Sequence, residues 1–249
     1  RAKAKIRDAG IPFQIPDTDQ LPFRSTAIAE AIYAVHAHDW LDPSDGMGEE
    51  ALYLADLLAQ LLPDDPEIKG LAALIALSHA RAQARVQNRS LVPTPQQDVT
   101  LWDDRLIAYG NRQLTLAHSL GQWGRFQIEA AIEAVHMTRK DSGQTDWTAL
   151  NKLYHALLQL APTAGAMVAQ AVVTARLHGA QAGLEALDRV EAQTGSGFQP
   201  LWAARADFAL ELADLKLANC CFDKAISLTT DLAVLRFLRQ KRDNLPADP

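Results

Sequence analysis

Cysteine is nearly missing from this chain: 249 residues hold two, Cys220 and Cys221, and they are neighbours. Adjacent cysteines do not pair with each other, so no disulfide framework holds the fold and a reducing, cytoplasmic setting is expected. No apolar run is long enough to cross a bilayer, and the first residues do not read as a signal peptide, so no membrane partner is expected. Excess positive charge is missing too. Twenty-four Lys and Arg stand against 30 Asp and Glu, a net charge of −6, whereas a dedicated nucleic-acid binder of this size is usually basic. The signatures of catalysis are also wanting. There is no phosphate-cradling glycine loop, no His-Glu-x-x-His, no paired Cys-x-x-Cys and no nucleophile elbow. No catalytic residue, cofactor or metal ligand is assigned, and the chain is expected not to be an enzyme.

What is present is helical periodicity. Hydrophobic residues make up 48% of the chain, ample for a buried core. Arg1, Lys3, Lys5 and Arg7 lie in a short basic segment that reads as the last turns of a helix, ended by Gly10. The segment starts abruptly, without an initiator Met, as a piece of a longer protein would. Ile11-Pro12-Phe13-Gln14-Ile15-Pro16-Asp17 holds two prolines and reads as an extended linker. Beyond it the pattern predicts an all-α fold of about eleven helices. Asp65 and Pro66 are placed to cap and start helix three, which is expected to run to about Val86. Thr100 is read as the cap of helix four, with Asp103 behind it, and Asp146 opens helix six. Residues 88–97, with Pro93 and Pro95, read as a loop that is either the internal boundary or an ordered excursion over the surface. The expected division is 1–17, 18–96 and 97–249.

The last third carries a repeat. At an offset of 35, Met167 meets Trp202, Ala171 meets Ala206, Gly183 meets Ala218, Leu187 meets Phe222 and Val190 meets Ala225. Small falls on small and large on large. This is the packing code of tetratricopeptide (TPR) hairpins, whose period is about 34 residues, so TPR-like antiparallel hairpins forming a solenoid-like bundle are expected. Trp147-x-x-Leu150-x-x-x-Tyr154 resembles the first helix of such a pair but lies out of phase with the other two.

Several segments together resemble a known family. Arg1-Ala-Lys-Ala-Lys-Ile-Arg-Asp-Ala-Gly-Ile-Pro-Phe13 looks like the end of promoter-reading region 4 of extracytoplasmic-function-type sigma factors of the sigma-70 family. It resembles the subgroup in which region 4 continues into a long TPR-like extension. Leu61–Leu71, His79–Arg85, Trp102–Ile107, Phe126–His136, Thr145–Trp147, Leu153-Tyr154 and Leu160–Pro162 agree with that extension. Val35–Trp40 and Ala169-Gln170 depart from it. The resemblance implies a regulatory, protein-interaction domain of a sigma factor, acting in transcription initiation. The implied partners are RNA polymerase core, the factor's own regions 2 and 4, and a small protein of the YCII/DGPF type. Promoter DNA would be reached only through domains this chain lacks, Arg1, Lys3, Lys5 and Arg7 being the remnant of the DNA-binding region.

Among individual residues, Trp102, Gln127, His136, Asp146, Trp147 and Tyr154 fall in the matching segments, and Tyr109 lies just beyond one of them. They suggest a polar pocket between helices four, five and six, since buried Trp and Tyr need partners for N–H and O–H. The alternative function is therefore a small-molecule-sensing or enzymatic helical domain. His36 and His38 are two apart, so on a helix they point roughly 200° from each other; both are read as surface histidines. Arg205 and Asp207 are expected to bridge helices or face solvent, and the two cysteines to be packed thiols.

Overall fold

The segment Pro66–Ala80 is apolar on every side, and a helix of that kind must be enclosed by others. A computed structural model of the chain describes residues 9–10, 21–41 and 46–245. Arg1, Lys3, Lys5, Arg7 and the linker 11–17 lie outside the described residues. In the structure Pro66–Ala80 forms helix α3, with Ile68 and every residue from Gly70 to Ser78 buried. Around it stand α1 (Leu21–Leu41), α2 (Met47–Leu61), α4 (Asp104–Ser119) and α5 (Arg125–Met137). Close approach depends on missing side chains. A Cβ at Gly70 would lie 2.7 Å from the Gln127 backbone nitrogen, and one at Gly110 would lie 2.6 Å from Leu77 Cγ.

Six further helices follow: α6 (Trp147–Leu160), α7 (Ala164–His178), α8 (Ala180–Thr194), α9 (Gln199–Glu211), α10 (Leu215–Ser227) and α11 (Leu232–Asp243). Among the described residues the fold is therefore all-α, with eleven helices of at least twelve residues. The α7–α8 and α9–α10 hairpins keep the offset of 35 in their boundaries, 164 to 199 and 180 to 215. Their matched positions are buried alike: Ala171 and Ala206, Gly183 and Ala218, Leu187 and Phe222, Val190 and Ala225. Helix α6 starts 33 residues before α8, so its register is that of a second helix, not a first. Leu150 and Leu157 then fall on Gly183 and Val190. Both helix types bury positions at this spacing, which is why the sequence pattern alone suggested the first.

Local signals hold where they concern caps. Asp65 accepts from the backbone N–H of Glu67 and Ile68 at 3.0 and 3.1 Å, and Asp146 accepts from that of Ala149 at 2.9 Å. Helix α4 begins differently: Asp103 is its N-cap, and Thr100 belongs to a 3₁₀ turn capped by Asp98. Helix α3 stops at Ala80, short of Val86. After a single turn at Ala82–Arg85, Val86–Gln87 (β1) pairs antiparallel with Ser90–Leu91 (β2). The joining residues Asn88 and Arg89 have φ of 52° and 62°, the left-handed pair a two-residue hairpin requires. Asn-Arg carries no glycine, so the hairpin left no usual mark in the sequence.

Of the two readings of residues 88–97, the shared core agrees with the surface excursion. Ala29, Ile32, Ala55, Leu71 and Ile75 share one buried cluster with Phe126 and Ala130, so residues 88–101 form an excursion over a continuous interior. At the far end α11 packs on α10 and also on β2. Arg236 Nη1 donates to the carbonyl of Arg89 at 3.4 Å.

Candidate functional site

Helix α5 carries Glu129, Glu133 and His136 at i, i+4 and i+7, a single stripe along the helix. Phe126 and Ala130 fasten it to the α1–α3 core, and Ile128 and Ile132 fasten it to α6 and α7. Glu129 and Glu133 line a cavity of about 510 Å³. Tyr33 and His36 of α1, Leu74 and Ser78 of α3, Tyr154 and Leu157 of α6, and Ala166 and Ala169 of α7 complete the wall, with Arg81 at the end of α3.

Arg81 is 9% exposed. Its Nε and Nη2 donate to the two oxygens of Glu133 at 3.0 and 2.8 Å, and Nη1 donates to Thr94 Oγ1 at 3.3 Å. Such a fork-to-fork pair is strong and fixed in geometry. A second pair stands one turn earlier. Arg125 Nε donates to Glu129 Oε1 at 2.8 Å, and its Nη1 lies 3.2 Å from Glu30 of α1. The Arg125 guanidinium sits 4.6 Å from the centre of the Tyr33 ring, within cation–π range.

The two carboxylates differ electrostatically. Burial alone would raise the Glu133 carboxyl, but the charge and hydrogen bonds of Arg81 override it and hold the group below the usual range. For Glu129 burial dominates, and Arg125 offsets it only in part, so this carboxyl lies above its ordinary value. Desolvation pushes His136 down, with Arg81 and Arg139 acting the same way against Glu133, so its imidazole favours the neutral form. Burial raises the Tyr154 and Tyr33 hydroxyls. The lining is mostly apolar, with a few convergent polar groups.

Of the residues singled out from the sequence, Tyr154 lines this cavity and His136 lies in the field of Arg81 and Glu133 beside it. The others are dispersed. Trp102 is buried with Leu77, Ala84 and Met137, beneath the Arg139 guanidinium at 5.0 Å, and its indole N–H has no partner. Tyr109 donates to Asp56 of α2 at 2.5 Å. Gln127 is pinned under α3, its backbone N–H and Nε2 donating to Glu67 Oε1 at 3.2 Å. Asp146 is a helix cap, and Trp147 packs against the Leu150 cluster. The pocket therefore lies between α1, α3, α5, α6 and α7, not between α4, α5 and α6.

His36 is not a surface residue: it is 7% exposed, in line with buried Ala29 and Ile32. Its spacing of four from Ile32 was the available signal. Arg81 and Glu133 were not singled out because what distinguishes them is mutual pairing across 52 residues of chain, whereas the i,i+4 pair of Arg125 and Glu129 was open to a reading of helix spacing. Elsewhere Arg205 bridges to Asp188 and Glu191 of α8 at 2.7 and 2.6 Å, and Asp207 accepts from Lys241 at 2.6 Å. Only Cys221 is packed; Cys220 is exposed.

Residues 24–118 match a family model described as "Family of unknown function (DUF6596)". That match takes in α1 to α4 and runs across residue 96. The chain is also similar to the curated "Uncharacterized protein R00370" of Rhizobium meliloti (strain 1021). The two are 33% identical over 256 residues, an alignment that covers 100% of this chain and 60% of the relative. The chain thus spans about 60% of the length of the relative it matches.

Proposed function

We propose that this chain is a regulatory, protein-interaction domain of a sigma-70 family factor of the extracytoplasmic-function type. The observation that carries this reading is the run Arg1–Phe13, which resembles the end of region 4 and leads directly into an all-α array of antiparallel hairpins. Repeated hairpins expose long helix faces suited to gripping a partner. The proposed partners are the factor's own regions 2 and 4, RNA polymerase core, and a small YCII/DGPF-type protein, all in the cytoplasm. The domain would act by biasing an equilibrium between polymerase-competent and incompetent arrangements, without chemistry of its own. Transcription assays with the full-length parent, intact and truncated after Phe13, test the reading. A change in promoter output on truncation is expected, and equal output from both forms sinks it.

A second reading is favoured by one specific observation: the buried Arg81–Glu133 pair forms a wall of the cavity of about 510 Å³. Here the domain senses a small molecule, and occupancy of the cavity shifts the same equilibrium. Since α1, α3, α5, α6 and α7 all contribute to the wall, a ligand there would couple the first helices to the hairpin array.

A further inference from the structure

We propose that the cavity between α1, α3, α5, α6 and α7 takes a small organic cation, a protonated amine carrying an apolar body. The inference rests on the ligand-site reading of that cavity and is independent of any sigma factor.

The argument is one of hydrogen-bond accounting on the polar wall. An ionised carboxylate offers about four lone-pair positions. Glu133 uses two on Arg81, and Glu129 accepts at 2.8 Å from Arg125 and also from the Tyr33 hydroxyl. Acceptor capacity is left over on two carboxylates one helical turn apart, both on the cavity wall. Donors also line the wall, in the hydroxyls of Tyr33, Ser78, Tyr154 and Thr163 and the ring of His36, but the guanidinium there is committed. Arg81, the guanidinium that lines the cavity, is already engaged by Glu133 and by Thr94. A cationic head would therefore find unused carboxylate oxygens, whereas an anionic head would face two carboxylates with no uncommitted guanidinium to receive it. Tyr33 and Tyr154 line the same cavity, the Tyr33 ring already carrying the Arg125 guanidinium on one face, and aromatic rings beside carboxylates are the usual surroundings of a bound ammonium. Leu74, Ile132 and Leu157 line the rest, which suits a hydrocarbon or aryl body.

Three probes of one shape separate the possibilities: phenethylamine, 2-phenylethanol and 3-phenylpropionate, titrated calorimetrically into the chain at neutral pH. Saturable binding of phenethylamine is expected, at least about tenfold tighter than either neutral or anionic probe. Glu129→Gln is expected to weaken it about tenfold or more. That variant keeps its fold because Arg125 retains Glu30, which a melting curve checks. Ala169→Phe, filling the cavity from α7, is expected to abolish binding as a second variant. Tighter binding of the alcohol or the carboxylate overturns the cation assignment while keeping the cavity as a ligand site. Amine binding indifferent to both substitutions places it elsewhere and overturns the proposal. Silence from all three probes up to about 10 mM overturns the cavity reading as well.

Discussion

Arg81 and Glu133 bury opposite charges in the middle of a helical protein, their side chains only 10% and 17% exposed. The desolvation of such a pair is repaid only by the partner, so removing one member costs far more than replacing both. Glu133→Leu is expected to lose about 3–5 kcal/mol, and Arg81→Met with Glu133→Leu to lose markedly less; urea unfolding of the two single variants and the double variant measures this. His136 adds a pH dependence. Its folded pKa is depressed, by burial first and then by Arg81 and Arg139, so the unfolded chain binds its proton more readily. The stability linked to His136 is full above the unfolded value of about 6.5 and is lost as pH falls from there through the folded pKa. Urea midpoints from pH 7 to pH 5 should fall more steeply for the native protein than for His136→Phe. Parallel slopes would exclude the histidine as the source.

At the level of the element, glycine and alanine occupy positions where their roles are reversed. Gly70 lies inside α3, where alanine is intrinsically better by about 1 kcal/mol, yet its added methyl would meet the Gln127 backbone at 2.7 Å. Ala213 follows α9 with φ of 58°, and the bonds Asp214 N–H to Ala209 O and Ala213 N–H to Leu210 O form a Schellman motif. Glycine is favoured at such a residue. Gly70→Ala is expected to destabilise by about 1–3 kcal/mol through overpacking, and Ala213→Gly to stabilise by about 1 kcal/mol. Thermal melts of both decide the signs. The same contrast explains what was legible in the sequence. Asp65, Pro66 and Asp146 act on backbone within three residues, and the repeat is a comparison of the chain with itself, so each could be read directly. Tyr33, Arg81, Glu133 and Tyr154 make a site only because four elements fold together. Nothing local marks Arg81 as facing Glu133 and not water.

Across the whole molecule, α11 does two things at once. Leu238 completes the cluster of Ala206, Ala209, Ala218, Cys221, Phe222 and Ala225, and Arg236 reaches the hairpin turn at Arg89, 147 residues earlier. The last helix is thus also a strap from the last hairpin pair to the first half of the chain. This return was not legible in the sequence, because the β1–β2 hairpin that α11 meets was itself unmarked. The two cysteines report on the strap. Cys220 is exposed and Cys221 buried, and burial, opposed only in part by Arg205, pushes the Cys221 thiol up to about 11. The thiolate is the reactive form, so a buried thiol of raised pKa reacts slowly. With a chromogenic disulfide reagent at neutral pH, the intact chain should release one equivalent rapidly and a second only as α11 opens. Leu238→Ala removes the α11 side chain most buried in the cluster, at a cost of about 2–5 kcal/mol, and should raise the rate of the second release without changing the first. If α11 instead detaches freely in the native protein, both thiols react together before any substitution, and the strap is not a stable part of the fold.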